Sequence, residues 1–367
     1  MSLSHSAAIA QLASLLGSHG WLEDDADTLK YRTDWRAGRV GEALGVARPA
    51  TTEQTAATVK IAREAGFAVV PQGGNTGLVQ GGIPTETCAT IMVSMDRMNQ
   101  VRALDADNYA LVAEAGCVVQ RLQEVAAETG RLFPLSLASE GSCTIGGALS
   151  TNAGGNQTIR FGNAREQVLG LEVVMADGTV FDGLNTLRKN NTGYDLKQLF
   201  IGAEGTLGII TAAAVRLMPL PCVRETAFLA VPNPHAAQRL LTMARELSGD
   251  LILAFELLPR FAMDMAFAQI EGTSDPLAES SPWYVLMELA TASPVDDLRG
   301  KLERIVGDAM EAGDVTDGVV AESEAQRANL WRPREEQAEA RKRFGQASIG
   351  GDVSVPVART AQFLDQS

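Results

Sequence analysis

Three short glycine-rich segments constrain this chain more than any other feature, and the first follows, and the third precedes, an apolar run that reads as a strand. Pro71-Gln72-Gly73-Gly74-Asn75-Thr76-Gly77 follows Phe67 to Val70 without a break and is extended by Gly81-Gly82. Gly141-Ser142-Cys143-Thr144-Ile145-Gly146-Gly147 is followed closely by Asn152-Ala153-Gly154-Gly155. Gly202-Ala203-Glu204-Gly205-Thr206-Leu207-Gly208 leads into the run from Ile209 to Met218. Glycine tolerates φ > 0 and close backbone approach, so such loops can turn several N–H groups toward one anion. None of the three contains Lys or Arg. A diphosphate would therefore be held by N–H dipoles and hydroxyls rather than by side-chain charge. One such loop is equally well a tight turn; three in one domain favour an anion cradle.

The common nucleotide motifs are missing. No glycines take the spacing G-x-G-x-x-G, which argues against a Rossmann site. No Gly-Lys-Ser/Thr ends a loop, which argues against a Walker-type nucleotidase.

At 367 residues the chain suits two domains. Glycine is dense from Gly73 to Gly208 and sparse from Pro221 to Arg299, and Met218-Pro219-Leu220-Pro221 marks the boundary. The expected domains are 1–220 and 221–367. In the first, a polar helical lead precedes a short strand at Leu44 to Ala47. Thr51 caps a helix with Gln54 as its capping-box partner, and Gly66 ends that helix. Strands follow at Phe67 to Val70, Thr90 to Met95 and Tyr109 to Ala115, then a helix from Val118 to Glu128. Leu171 to Gly183 reads as a hairpin turning at Asp177-Gly178. In the second domain, strands are expected at Thr226 to Val231, Leu251 to Leu258, Trp283 to Ala290, Val319 to Glu322 and Ser348 to Val355. Between them fall helices at Pro234 to Leu247, Arg260 to Ala268, Val295 to Ala312 and one long helix through Arg343. The class is α+β, with helices on one face of an antiparallel sheet in the second domain.

The net charge of −14 argues against nucleic acid and anionic membrane surfaces as partners. No apolar run reaches the roughly 18 residues of a membrane span. The start, Met1-Ser2-Leu3-Ser4-His5, lacks a signal-peptide pattern, so a cytoplasmic location is expected. The four cysteines, Cys88, Cys117, Cys143 and Cys222, have no Cys-x-x-Cys pair and read as reduced, mostly buried apolar residues. His5, His19 and His235 have no acidic or histidine company in sequence, which leaves no histidine-rich metal site and no Ser-His-acid triad. His5 is placed in a frayed start.

Residues 141–155 resemble the FAD segment of the vanillyl-alcohol-oxidase/PCMH flavoprotein superfamily. The run Leu187-Arg188-Lys189-Asn190-Asn191-Thr192-Gly193-Tyr194-Asp195-Leu196-Lys197, continuing through Leu199-Phe200-Ile201-Gly202 to Thr211, resembles the D-2-hydroxyglutarate and D-lactate dehydrogenase branch. Tyr31-Arg32-Thr33-Asp34-Trp35 fits the same branch. The likeness covers nearly the whole chain and is most specific over residues 68 to 216. It implies a PCMH-type FAD-binding domain of two lobes, followed by an antiparallel-sheet-plus-helices, ferredoxin-like substrate domain.

It also implies which residues meet FAD. The first loop gives Pro71, Gln72, Gly73, Gly74, Asn75, Thr76, Gly77 and Leu78, with Gly81 and Gly82. The second region gives Pro134, Gly141, Ser142, Thr144, Ile145, Gly146, Gly147, Asn152, Ala153, Gly154, Gly155 and Gly162. The third gives Glu204, Gly205, Gly208, Ile209 and Ile210. Asn75 stands where some superfamily members carry a flavin-linking histidine, so the flavin is expected to be non-covalent. Arg334, in Asn329-Leu330-Trp331-Arg332-Pro333-Arg334-Glu335-Glu336, matches the substrate-binding arginine, with Arg332 as its neighbour and competitor. A guanidinium can grip a carboxylate through two hydrogen bonds.

The implied activity is oxidation of a D-2-hydroxy acid (2-hydroxyglutarate, malate or lactate type) to the 2-oxo acid by hydride transfer to flavin. An electron-transfer flavoprotein or a quinone is the implied acceptor, and a homodimer the implied assembly. Two departures leave the substrate's distal group open: Gly350 stands where a lysine is common, and Ala338 where a hydroxyl is common. The metal-binding and catalytic histidines of the family lie beyond Ser348 to Val355. A divalent metal such as zinc is expected only with that further segment, and Ala358 to Asp365 reads as an amphipathic helix just begun. The alternatives are a flavin-carrying subunit of a glycolate-oxidase-like complex and a sugar-lactone oxidase on the same fold.

Overall fold

The computed structural model describes residues 3–36, 38–85, 87–345 and 351–367. The described chain divides into two compact units: Met1–Gly155 with Phe161–Leu220, and Asn156–Arg160 with Pro221–Ser367.

The first unit opens with α1 (His5–Leu16), β1 (Trp21–Leu22), α2 (Asp25–Arg32), β2 (Val46–Ala47), α3 (Thr52–Ala65), β3 (Ala68–Gln72) and β4 (Thr90–Ser94). It continues through β5 (Val101–Asp105), β6 (Ala110–Glu114), α4 (Val119–Ala127), β7 (Arg131–Leu132) and α5 (Ile145–Ser150). After the short turn α6 (Thr158–Phe161), most of which belongs to the second unit, the first unit continues with β8 (Val168–Met175), β9 (Val180–Asp182), β10 (Gly208–Arg216) and β11 (Met218–Pro219). Two sheets make the two expected lobes. The first has the order β1-β2-β4-β3, with β2 and β3 both parallel to β4. The second is antiparallel, in the order β5-β6-β10-β8-β9. One apolar cluster containing Ile91, Val93, Leu111, Ile145, Val173 and Ile210 serves both.

Local signals in the sequence explain several boundaries. Thr51 accepts the Gln54 N–H at 3.2 Å, but Gln54 Oε1 reaches one residue further back than a standard capping box, to the Ala50 N–H at 2.8 Å. Gly66 ends α3 in the left-handed region, with φ 73°. The hairpin β8–β9 turns at Gly178, where φ is 79°. β5 had no clear signal, because its alternation is weak and its residues lie mostly at the surface. His5 is not in a frayed start: it begins α1, behind the Ser4 cap, and its ring lies 4.8 Å from that of Phe67.

The second unit contains β12 (Val223–Val231), α7 (Pro234–Ser248), β13 (Ile252–Pro259), α8 (Arg260–Gln269), β14 (Trp283–Thr291), α9 (Leu298–Glu311) and β15 (Asp317–Val320). It ends with α10 (Glu324–Glu335), α11 (Gln337–Phe344) and α12 (Thr360–Gln366). Its antiparallel sheet runs β13-β14-β12-β15. Along β14, Val285, Met287 and Leu289 pack with α7 and α9, while Tyr284 and Leu286 pack with α8 and α10. The helices therefore cover both faces, not one. The reason is legible in β14, which is apolar at nearly every position rather than at alternate ones.

Two further expectations are corrected. The long helix through Arg343 is two helices meeting at Glu336. The Gln337 side chain donates to the Pro333 carbonyl at 3.0 Å, taking the acceptor that a continuous helix would give to the Gln337 backbone. The last strand is absent where it can be seen: residues 351–355 are not in a strand, while Ser348 and Gly350 lie outside the described residues. The amphipathic segment near the end is the helix α12, and its Asp365 meets His235 Nε2 at 2.8 Å. His235 thus has acidic company that no sequence spacing could show.

Candidate functional site

The three glycine-rich segments, far apart in sequence, meet in the first unit. β3 delivers the first of them. Gln72, at its end, is buried, and its Nε2 donates to the carbonyls of Tyr31 at 2.8 Å and Gly82 at 3.1 Å. That side chain closes the loop 73–82 on itself and ties it to the end of α2. Asn75 and Gln80 sit at φ 53° and 64°. The Asn75 amide is spent on the carbonyl of Thr33 at 2.8 Å. Tyr31 itself is fixed by donating to Asp96 at 2.7 Å, and burial, with that carboxylate, pushes its hydroxyl far up from the usual tyrosine range.

Gly73 lies against the second segment. A Cβ on Gly73 would overlap the Thr144 hydroxyl and come within 3.3 Å of the Gly147 nitrogen. A Cβ on Gly74 would overlap the carbonyl of Ser142. These contacts explain the glycines: the two backbones touch. Thr144 precedes α5, yet its hydroxyl makes no cap bond; it is buried and has no hydrogen-bond partner among the described residues. A buried orphan hydroxyl needs a partner. Further along the first loop there is open space, for a Cβ at Gly77 would meet nothing within 4 Å.

The third segment is strapped to the other two. Gly202, Glu204 and Gly205 all have positive φ. The Gly202 and Glu204 N–H groups donate to the Leu149 and Ser150 carbonyls at 3.0 and 2.9 Å, capping the end of α5. A Cβ on Gly205 would strike the Pro71 ring, and one on Gly81 would stand 3.2 Å from Glu204 Oε2.

The convergence corrects part of the expectation. The N–H groups of Ile145 and Gly146 donate to the carbonyls of Cys117 and Ala115 at 2.9 and 2.8 Å, so they hold the fold and not an anion. The same is true of Gly202 and Glu204. What remains uncommitted among the described residues is the Thr144 hydroxyl, which lies with the Gly147 nitrogen against the first loop at Gly73. The remaining expected residues take supporting places. Asn152 Oδ1 accepts the Arg165 N–H at 3.0 Å, and Ala153 accepts from Ala164 at 2.9 Å. Gly155 abuts Ser136, Gly162 abuts the Glu166 side chain, and Pro134 accepts from Gln167 at 3.3 Å. Gly141, Ser142, Gly154 and Leu78 are exposed. Ile209 and Ile210 point into the core, and Gly208 packs on β8. Only their backbone can face a ligand.

Two residues escaped the sequence reading. Arg165 donates to the carbonyls of Gln198 and Ile201 at 2.9 and 2.6 Å, and its guanidinium lies beside Gly202. A positive charge therefore stands next to loops that contain none. Gln167, fully buried, leaves its Oε1 without a partner among the described residues. Neither carries a signal in sequence, because both act through residues far along the chain. The cysteines divide evenly: Cys117 and Cys143 are buried, whereas Cys88 and Cys222 are exposed. Burial raises the Cys143 thiol, so the neighbour of Thr144 stays protonated at neutral pH.

In the second unit, Arg334 donates its Nε–H to Glu256 of β13 at 2.6 Å and remains about one-third exposed. Arg332 turns instead to Glu336, at 2.8 Å. Ala338 lies in α11. Among the described residues, no group of three or more His, Cys, Asp or Glu is placed to hold a metal ion.

Comparison with known proteins adds to this geometry. Residues 43–183 match the family described as FAD binding domain, and residues 220–367 match FAD linked oxidases, C-terminal domain. A D-2-hydroxyglutarate dehydrogenase from Xanthomonas citri is 35% identical over 94% of this chain and 71% of its own length. Mitochondrial D-2-hydroxyglutarate dehydrogenases from Arabidopsis thaliana and Bos taurus are 38% and 41% identical over 95% and 89% of this chain. The chain spans 62% and 59% of those two relatives' lengths. Among solved structures, alkyldihydroxyacetonephosphate synthase aligns with TM-score 0.74 at 18% identity, covering 94% of this chain and 69% of that one. p-Cresol methylhydroxylase aligns with TM-score 0.70 at 16% identity, covering 92% and 71%. Those two likenesses concern the fold alone. The mitochondrial relatives overturn the expected cytoplasmic location. That expectation rested on the lack of a signal peptide, which reports on secretion and not on organelles.

Proposed function

The chain belongs to the D-2-hydroxyglutarate dehydrogenase family of FAD-linked oxidases, and on that premise we propose that it oxidises a D-2-hydroxy acid to the 2-oxo acid with FAD. We assign cofactor binding to residues 1–220 and substrate recognition to residues 221–367. The observation that carries the reading is the orphaned Thr144 hydroxyl, buried against Gly73 and Gly147 at the meeting of the glycine loops.

Bound FAD supplies a two-electron acceptor for the hydride leaving the substrate's Cα. The protein's part is to hold and orient. Thr144, the Gly147 nitrogen and the loop from Gly73 to Gly77 offer neutral dipoles to the diphosphate, and Arg165 adds a nearby positive charge. We take the flavin as non-covalent, since the Asn75 carboxamide offers no nucleophile and is engaged with the Thr33 carbonyl. Glu256 fixes the Nε edge of Arg334, and the Nη edge is then the one available to a substrate carboxylate. A divalent metal such as zinc would polarise the substrate hydroxyl in such chemistry. The described residues do not fit it, and no step here depends on it. The family resemblance supports reoxidation by an electron-transfer flavoprotein or a quinone, and a homodimeric assembly.

The test is anaerobic titration of the purified yellow protein with D-2-hydroxyglutarate, D-malate and D-lactate. Bleaching of the flavin by at least one is expected. A flavin that stays oxidised against all three would overturn the proposal.

A further inference from the structure

At the end of β10 away from the glycine loops, two arginines lie over one tyrosine and a third ends the strand beside it. Tyr109 stands just before β6 with φ 55°, and its carbonyl accepts the Leu217 N–H at 2.8 Å. The guanidinium carbon of Arg131, in β7, is 4.1 Å from the centre of the Tyr109 ring, and that of Arg188 is 5.5 Å away. Arg216 ends β10, paired with Ala110 in the strand beside Tyr109. Arg188 is close enough to Arg216 for the two charges to repel. The segment that brings Arg188 here, Leu187 to Lys197, has given no residue to the cofactor cradle.

The three guanidiniums are short of counter-charge. Among the described residues none of them forms an ion pair. Arg131 spends its donors on the carbonyls of Ala106 and Gly130, at 2.9 and 3.2 Å, and Arg188 reaches the Leu217 carbonyl at 3.4 Å. Arg216 Nε is buried and has no hydrogen-bond partner among the described residues. Burial first, and Arg188 second, depress the Arg216 guanidinium's affinity for its proton. The nearby acids do not answer: Asp105 is turned to the Asn108 N–H at 2.9 Å, and Asp107 is exposed. In a chain with 45 acidic and 31 basic residues, a cluster of this kind runs against composition. A partly buried, uncompensated cation is unfavourable unless something anionic completes it.

We propose that Tyr109, Arg131, Arg188 and Arg216 form a binding site for a small polyanion, a phosphate or a dicarboxylate. Planar guanidinium forks suit paired oxygens, and the tyrosine ring keeps two of them from splaying apart. The site is distinct from the cofactor cradle. Gly208 and Arg216 are opposite ends of β10, and at about 3.3 Å per residue the strand separates them by roughly 25 Å. A ligand here would act at a distance from the flavin.

The test uses the FAD-loaded protein in calorimetric titrations with inorganic phosphate and, separately, with succinate, at ionic strength held constant with chloride. Saturable binding of at least one anion is expected, and the two arms distinguish a phosphate ligand from a carboxylate one. Arg216→Gln and the exposed-site variant Arg188→Gln should each weaken it at least tenfold while flavin per chain stays unchanged. In chloride alone, Arg216→Gln should melt no lower than the wild type, because it removes a repulsion. The proposal is overturned if neither anion binds saturably to the wild type, or if both variants bind as the wild type does. It is equally overturned if Arg216→Gln melts well below the wild type in chloride, which would mark the arginine as structural.

Discussion

Gly73 lies against Thr144 so closely that a Cβ on the glycine would overlap the threonine hydroxyl, a hydroxyl that is itself buried without a partner among the described residues. The two residues belong to separate glycine-rich segments, and their contact is where the proposed diphosphate cradle begins.

Gly73→Ala should therefore lose flavin, because its methyl group drives the two loops apart. Thr144→Ala should weaken flavin binding by about tenfold, roughly the 1–1.5 kcal/mol of one hydrogen bond, whereas Thr144→Ser should retain it. The ratio of flavin to protein absorbance after gel filtration measures both. Full flavin content in Gly73→Ala would remove the cradle from consideration.

Arg334 and Glu256 give a prediction about substrate binding. Arg334→Lys should raise KM by about 10–100-fold, as expected for losing a charge-assisted, two-pronged contact worth about 1.5–3 kcal/mol. Glu256→Gln should raise KM less, since it loosens the arginine without removing it. Flavin content should be unchanged in both. Steady-state kinetics with the hydroxy acid that bleaches the flavin decide the matter, and an unaltered KM in Arg334→Lys would reject the role.

The thiols should separate by reactivity. Burial pushes the Cys117 thiol up to about 11, and Cys143 is raised for the same reason. A thiol whose folded value is raised favours folding in its protonated form. That contribution is complete below the unfolded value and is lost as pH climbs through the folded one. At pH 8 a disulfide reagent should titrate the exposed Cys88 and Cys222 quickly. Cys117 and Cys143 should react only after denaturation, and four fast thiols in the native protein would contradict the burial.

Glu288 is a buried carboxylate in β14 that accepts from Thr226 and Trp331, each at 2.9 Å, with Arg327 at 3.5 Å. Glu288→Ala should cost about 1–3 kcal/mol, because it strands the Thr226 hydroxyl and the Trp331 indole N–H, whereas Arg327 keeps Glu324 at 2.8 Å. Urea unfolding followed through the second unit's tryptophans, Trp283 and Trp331, would show it. A loss below about 1 kcal/mol, the scale of a surface pair, would place this network among the ordinary ones.

Local features were legible in the sequence wherever a residue's conformation depends on its immediate neighbours. Thr51 and Gly66 bounded α3, Asp177-Gly178 turned the β8–β9 hairpin, and the apolar runs located most strands. The three loops could be identified as anion-binding candidates, and their likeness to a flavoprotein segment named the ligand. The partition of their donors could not be read. Ile145, Gly146, Gly202 and Glu204 look the same in sequence as Gly147, yet their N–H groups are claimed by Cys117, Ala115, Leu149 and Ser150.

The sequence by itself determined that the chain has a glycine-rich first half, an alternating second half and a family resemblance carried by contiguous motifs. Backbone preference and hydrophobic period act over a few residues, and a linear chain displays them directly. Only the tertiary structure decided which polar groups remain free. It set Thr144 against Gly73, brought Arg165 beside Gly202, paired His235 with Asp365, and left Arg216 Nε without a hydrogen-bond partner among the described residues. A hydrogen bond or an ion pair is a property of two atoms in space. Its partner can lie anywhere along the chain, so composition and spacing carry no record of it.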